Sequence, residues 1–339
     1  SNEPVAARDG REERVSLDGT GAALPPDGSN SERACNLAPT IKSGKKGEWS
    51  SPDTWLIEDS SGNWVISSRI PNENDVVSIQ DTHQITGAIS EVNVKALCNK
   101  GTLKGKKNGT SKPHALKIYA TDSVSNHGSI QGAKGTMDSS SCGVGGGDVI
   151  LIVGQEVRKK GKNGDWWYSS RQSGGPIYNK GIIQGGDGGM SFSDSCTAGK
   201  GGNVTVLGRN TANVENGVIK AGRGGKNYKS GQGGDGGLTQ VWGKLGGRGY
   251  LINRGDINGG DGGDGGLRGG KGGNLWLVSL PDVYLNGGRS SSHNSPGKGG
   301  NGSSRSGKKG RLTIEPNSIS ITNATIESGD VSIHGGSDW

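Results

Sequence analysis

NKGTLKG at residues 99–105, NHGSIQG from Asn126, NKGIIQG from Asn179, ENGVIKA from Glu215 and NRGDING from Asn253 repeat one phrase, which frays into NATIESG from Asn323. Each copy runs on into a glycine-rich, charged stretch. A second phrase interleaves with it: glycines, then Asp or Asn, then alternating apolar residues, as in GGGDVILIV ending at Val153, GGNVTVL ending at Leu207 and GGNLWLV ending at Val278. Such self-similarity, with no long helical pattern, marks a stacked β architecture in which each repeat buries its apolar face only against its neighbours. The expected fold is all-β, a right-handed parallel β-helix (solenoid) with Gly-rich loop insertions and an extended N-terminal arm.

The glycines at 101, 128, 181, 217 and 255 are 27, 53, 36 and 38 residues apart, which suits rungs with loops of variable length leaving one corner. The longest interval holds a charged, aromatic excursion, GQEVRKKGKNGDWWYSSRQSGG. Inward Val, Ile and Leu are expected to stack from rung to rung, and the glycines to turn corners at positive φ. The phrase's opening asparagine suits a corner too, since it tolerates the left-handed region and can bond locally or ladder along the stack. For GGDGGDGGLRGGKGG, residues 259–273, side-by-side polyglycine helices are a second reading; these lack internal hydrogen bonds and need lateral partners.

Glycine supplies 67 of the 339 residues and aromatics only 4%, so the core must be thin and aliphatic. The glycines keep fixed offsets from Val/Ile/Leu strands, unlike those of disordered low-complexity sequence. Residues 1–34 read as a polar N-terminal extended arm, broken by the strand-like RVSLDG at 14–19, whose alternation matches DVSIHGG at 330–336. Residues 35–105 form a Trp-containing cap and the first rungs, with strand candidates at 54–57, 64–66, 76–79 and 91–97. Residues 106–339 are the Gly-rich repeats. Without an 18-residue apolar run or a basic-then-apolar leader at Ser1, the chain is expected to be soluble, as a mature form after signal removal would be.

Cys35, Cys98, Cys142 and Cys196 lack the close spacing of zinc or redox sites, and an even count in a secreted chain favours two disulfides. Cys142 and Cys196 stand in matching contexts, SSSCGVGGGDV and SDSCTAGKGGNV, so repeats stacked about 4.8 Å apart bring them within disulfide reach. Cys35 and Cys98 then pair by elimination. The net charge of +7, with basic runs at 104–107, 158–162 and 308–311, suits an acidic polysaccharide, extracellular DNA or an anionic surface, or simply solvated loops. Nucleic acid ranks last, because no recognition helix or aromatic-interleaved basic patch is visible.

Gly47, Trp49, Ser50, Pro52, Thr54 and Trp55, then Pro71, Asp75, Val77 and Ile79, then Gly101, Thr102 and Leu103 trace G-x-W-S-x-P-x-T-W, P-x-x-x-D-x-V-x-I and G-T-L. This segment of about 60 residues resembles the opening of secreted bacterial right-handed parallel β-helix proteins, and the glycine-rich rungs resemble those of bacterial surface and matrix β-helix proteins. The resemblance implies a fold and a secreted or cell-surface location far more than an activity.

No catalytic constellation appears: His83, His114, His127, His293 and His334 are scattered, and G-x-S-x-G is missing. Asp187, Asp235, Asp261 and Asp264 lie between glycines and read as solvated loop acids; calcium held by an aspartate ladder is the alternative, and no other cofactor is expected. Trp166, Trp167 and Tyr168 are candidates for sugar stacking or docking, against simple packing on the solenoid wall. A β-helix ends in unpaired strand edges. Val15 and Leu17 of one subunit are therefore expected to extend the terminal rung of another at Val331, Ile333 and Trp339, a non-closing contact that builds a homopolymeric filament or matrix fibre. The alternative is a carbohydrate-active β-helix enzyme, lyase or hydrolase, or a polysaccharide-binding adhesin.

Overall fold

The computed structural model describes residues 33–87, 91–107, 109–138, 140–154, 157–160, 166–169, 175–243, 249–279, 281–286, 292–316, 318–322, 324–326 and 331–333. Among them the chain is nearly all β, with one sheet of 17 strands, another of 9 and a two-stranded hairpin. Helix is confined to Arg33–Asn36 and a 3-10 turn at Pro52–Thr54.

The chain visits three columns of parallel strands in turn. Val204–Leu207 lies in the first column, between Val149–Val153 and Thr239–Trp242. Asn210–Asn213 takes the second, between Pro176–Asn179 and Gly249–Asn253. Val218–Lys220 takes the third, between Ile182–Gln184 and Asp256–Asn258. The first two columns belong to the large sheet and the third forms the smaller one.

Register builds the core. Leu103, Ile130, Ile183, Ile219 and Ile257 align along the third column, and all are wholly buried. Ile118, Leu151, Val206, Val241, Leu277 and Ile314 form a matching buried line in the first. Side-chain alternation along each strand supplies these lines, and burying each aliphatic side chain contributes about 1.5–3 kcal/mol.

At the end of the second column runs a buried polar ladder. Asn99 donates Nδ2–H to Oδ1 of Asn126, Asn126 to Asn179, Asn179 to Asn213 and Asn213 to Asn253, each at 2.7 Å; Asn253 continues to Asn294 at 2.8 Å. Asn294 comes from the third column, where it stands in register with Ile257. Only the two ends of the ladder, Asn99 Oδ1 and Asn294 Nδ2, are left without a partner.

The corner glycines depart from expectation. Among the described residues positive φ occurs at Gly62, Gly109 and Gly154, and at Thr82, Ser141 and Asn216, but at none of Gly101, Gly128, Gly181, Gly217 and Gly255. Glycine is required there because the backbones touch: a Cβ on Gly128 would run into the carbonyl oxygen of Gly101, and one on Gly181 into that of Gly128.

Between the third column and the next rung the chain makes a glycine excursion and returns, and these segments are not strands. In 185–189, Gly185 N–H donates to Lys220 O of the following rung and Gly186 N–H to Gly147 O of the opposite layer. Gly188 and Gly189 repeat the pattern toward Arg223 O and Val144 O, while Asp187 faces outward between the pairs. A three-residue period with every bond lateral is the packing of side-by-side polyglycine helices. The second of the two readings for 259–273 is therefore the one adopted: Gly260, Gly263, Gly270 and Gly273 all donate across the two layers.

The N-terminal end of the stacked strands is covered by the chain itself. Ile41–Ser43 pairs in parallel with Val76–Ile79 and antiparallel with Trp55–Glu58, which pairs antiparallel with Trp64–Ile66. Buried Trp49 and Trp55 meet edge to face, ring centroids 4.8 Å apart, and Trp55 Nε1–H donates to Trp49 O at 3.0 Å. Asp75 is clamped by Nη1 and Nη2 of Arg69, at 2.5 and 2.8 Å, by Thr40 Oγ1 and by the Asn72 N–H.

Candidate functional site

The C-terminal rung differs from every rung beneath it. Ile333 stands in register with Ile314 and Ile321 with Leu285, and both lower partners are wholly buried. Ile333 is nevertheless 52% exposed and Ile321 45% exposed. Among the described residues no strand pairs with the outer edges of Ser318–Thr322, Ala324–Ile326 or Val331–Ile333. Val331 pairs with Leu312 on the covered side of this rung. Val15, Leu17 and Trp339, the remaining expected interface residues, lie outside the described residues.

Both disulfides form with the expected pairing. Cys142 and Cys196, at the tips of successive excursions, have Cα atoms 5.4 Å apart, and Cys35 and Cys98 have theirs 4.7 Å apart. Two disulfides fit an oxidising, extracellular environment. No described helix is long and apolar enough to cross a membrane.

The four glycine-flanked aspartates do not converge. Asp187 and Asp261 share one layer with Arg223 between them, and Asp235 belongs to the opposite layer. Each carboxylate holds a backbone N–H one rung on: Asp187 that of Arg223, Asp235 that of Lys271, Asp261 that of Lys298 and Asp264 that of Asn301, at 2.8–3.0 Å. These are the outward N–H groups that the lateral glycine bonds leave over. No group of three or more His, Cys, Asp or Glu capable of holding a metal ion occurs among the described residues.

Hydrogen bonds from the Ser140 hydroxyl and the Cys142 N–H hold Asp138 below the usual carboxylate range, and the Ser230 N–H and hydroxyl do the same for Asp194. A general acid requires a shift in the opposite direction.

Trp166–Ser169 forms an antiparallel hairpin with Val157–Lys160, which sets Trp166, Trp167 and Tyr168 opposite Lys160, Lys159 and Arg158. Sequence reasoning missed a second aromatic feature: Phe192 and Tyr228, about half exposed at the excursion tips, stack at 4.9 Å with planes 9° apart. Their places in two successive repeats were the available signal. Compared with protein-family models, curated proteins and solved structures, the chain matches none.

Proposed function

We propose that this chain is a secreted structural subunit, a right-handed parallel β-helix of the bacterial surface and matrix kind, that assembles head to tail into a filament by strand addition. One observation carries the reading: Ile333 and Ile321 occupy core register and yet lie half exposed on an edge without a partner among the described residues. Covering an isoleucine fully contributes about 1.5–3 kcal/mol, and an unpaired edge is a template for another chain. The donor is the alternating RVSLDG segment of a second copy, with Val15 and Leu17 turned onto the exposed isoleucines. Such a contact is heterologous and does not close.

Electron microscopy and light scattering test this on the full chain. Fibres are expected, with monomers after deletion of residues 1–34 and after Ile321→Lys combined with Ile333→Lys. A full chain that stays monomeric overturns the filament reading, as do fibres that persist unchanged in the deletion.

A further inference from the structure

The two faces of the glycine sandwich are charged differently. On the outgoing face Lys134, Asp187, Arg223, Asp261 and Lys298 follow one another across successive rungs, alternating in sign, with ion pairs of 3.7 Å between Lys134 and Asp187 and 3.6 Å between Arg223 and Asp261. Four of these five charges are thus held in ion pairs.

The return face differs. Its three-residue period aligns Arg268 with Lys271 and Arg305 with Lys308. The two pairs lie side by side, because Arg268 bridges Arg305 in parallel and Gly272 N–H donates to Lys308 O at 2.8 Å. All four side chains are exposed, and together they line an open groove of about 300 Å³. None forms an ion pair with a carboxylate among the described residues; the neighbouring Asp235 accepts the Lys271 N–H at Oδ1, and its single negative charge leaves the four positive ones in excess. Their backbone positions lie about 5 Å apart across rungs and about 9 Å apart along each segment. Four exposed like charges lining one groove give it a positive potential that favours entry of an anion.

We propose that this groove binds a linear polyanion, specifically an acidic polysaccharide with carboxylates at regular intervals. Arg268 and Arg305 offer planar forks suited to carboxylates, and the lysines add point charges beyond them. No aromatic side chain lines the groove, so it lacks the stacking platform of a single-stranded nucleic-acid binder.

The test is titration of the full chain with polygalacturonate and alginate, with dextran as neutral control and single-stranded DNA as competitor. Both polyuronates are expected to bind, dextran not, with affinity collapsing toward roughly 1 M salt, where the screening length is about 3 Å. Lys271→Glu combined with Lys308→Glu should weaken binding at least about tenfold at low salt. The pair Lys134→Glu and Lys298→Glu, the same change in net charge on the opposite face, should weaken it far less. Circular dichroism checks the fold, and Lys→Gln at 271 and 308 supplies the readout if charge reversal unfolds the protein. Absence of polyuronate binding, equal binding of dextran, or equal losses in the two charge-reversed pairs overturns the groove; tighter binding of DNA overturns the carbohydrate assignment.

Discussion

Asn126 donates its Nδ2–H to Oδ1 of Asn179 at 2.7 Å although 53 residues separate them in sequence. The excursion between them includes the hairpin of Val157–Lys160 and Trp166–Ser169, yet the next rung returns in register. A one-residue slip would turn every inward side chain of a strand outward. The ladder opposes slippage for a second reason, since a displaced rung would leave buried amides unpaired.

Asn126→Ala removes the bond to Asn179 Oδ1, a second one, at 3.2 Å, to Ile182 O, and the Oδ1 that accepts from Asn99 at 2.7 Å. With each buried unsatisfied group costing about 1–3 kcal/mol, urea unfolding should show a loss of about 2–4 kcal/mol. Asn126→Asp should be worse at neutral pH, because a carboxylate then faces two acceptors. Its folded pKa would be raised, since only the protonated acid restores a donor. The deficit should therefore shrink as the pH falls toward the unfolded value of about 4. An Asp variant as stable as the parent at pH 7 would show that the ladder contributes nothing.

Gly145 and Gly146 are adjacent and have opposite surroundings. A Cβ on Gly145 would meet Lys200 O at 3.4 Å and the end of Lys112 at 3.9 Å, whereas one on Gly146 would run into the carbonyl of Gly186. Gly145→Ala should be tolerated within about 1 kcal/mol. Gly146→Ala should push the two layers apart and cost more than about 3 kcal/mol, beyond the usual range for a point mutant. Thermal unfolding of both variants checks this, and equal losses would mean that the layers are not packed backbone to backbone.

Much of this was legible in advance. The β-branched apolar run VILIV at Val149–Val153 is a strand signal, and the matched surroundings of Cys142 and Cys196 identified equivalent positions in neighbouring rungs. What failed was the reason for the corner glycines: a bare Gly128 does not reveal whether its φ or its missing Cβ is needed. The roles of the aspartates were hidden for a related reason. The N–H that Asp187 holds belongs to Arg223, a full rung further on, and only the three-dimensional spacing shows it. Nor does a run such as GGDGGDGGLRGGKGG say which charges share a layer, so the unneutralised face of Arg268 and Arg305 emerged only from lateral pairing.

The short helix Arg33–Asn36 is held by covalent and apolar contacts together. Ala34 is buried against Val76 and Ala96, and Cys35 is bonded to Cys98 across 63 residues. Cys35→Ser combined with Cys98→Ser should lower stability by about 2–4 kcal/mol, with the loss expressed largely through the unfolded chain. Limited trypsin digestion should then cut at Arg33 and Lys42 faster than in the parent, while the rungs beyond Leu116 resist. Unchanged cleavage in the double variant would show that apolar contact alone holds the helix.

Asp75 gives a pH dependence of definite sign. Burial alone pushes its carboxyl up, but the Arg69 fork, the Asn72 N–H and the Thr40 hydroxyl together outweigh it and hold the pKa below the usual range. A depressed folded pKa means that the unfolded chain binds the proton more readily. The stabilisation is therefore present above the unfolded value of about 4 and is lost as the pH falls through the folded one. Asp75→Asn keeps the shape but loses the charged pair, and should cost about 2–3 kcal/mol at pH 7. Arg69 is 45% exposed in its side chain, so the loss should fall short of that for a fully buried pair. Urea midpoints measured from pH 7 down to pH 2 should converge for parent and variant at the acid end. A gap that stays constant over the whole range would mean that the Asp75 clamp acts through shape and not through charge.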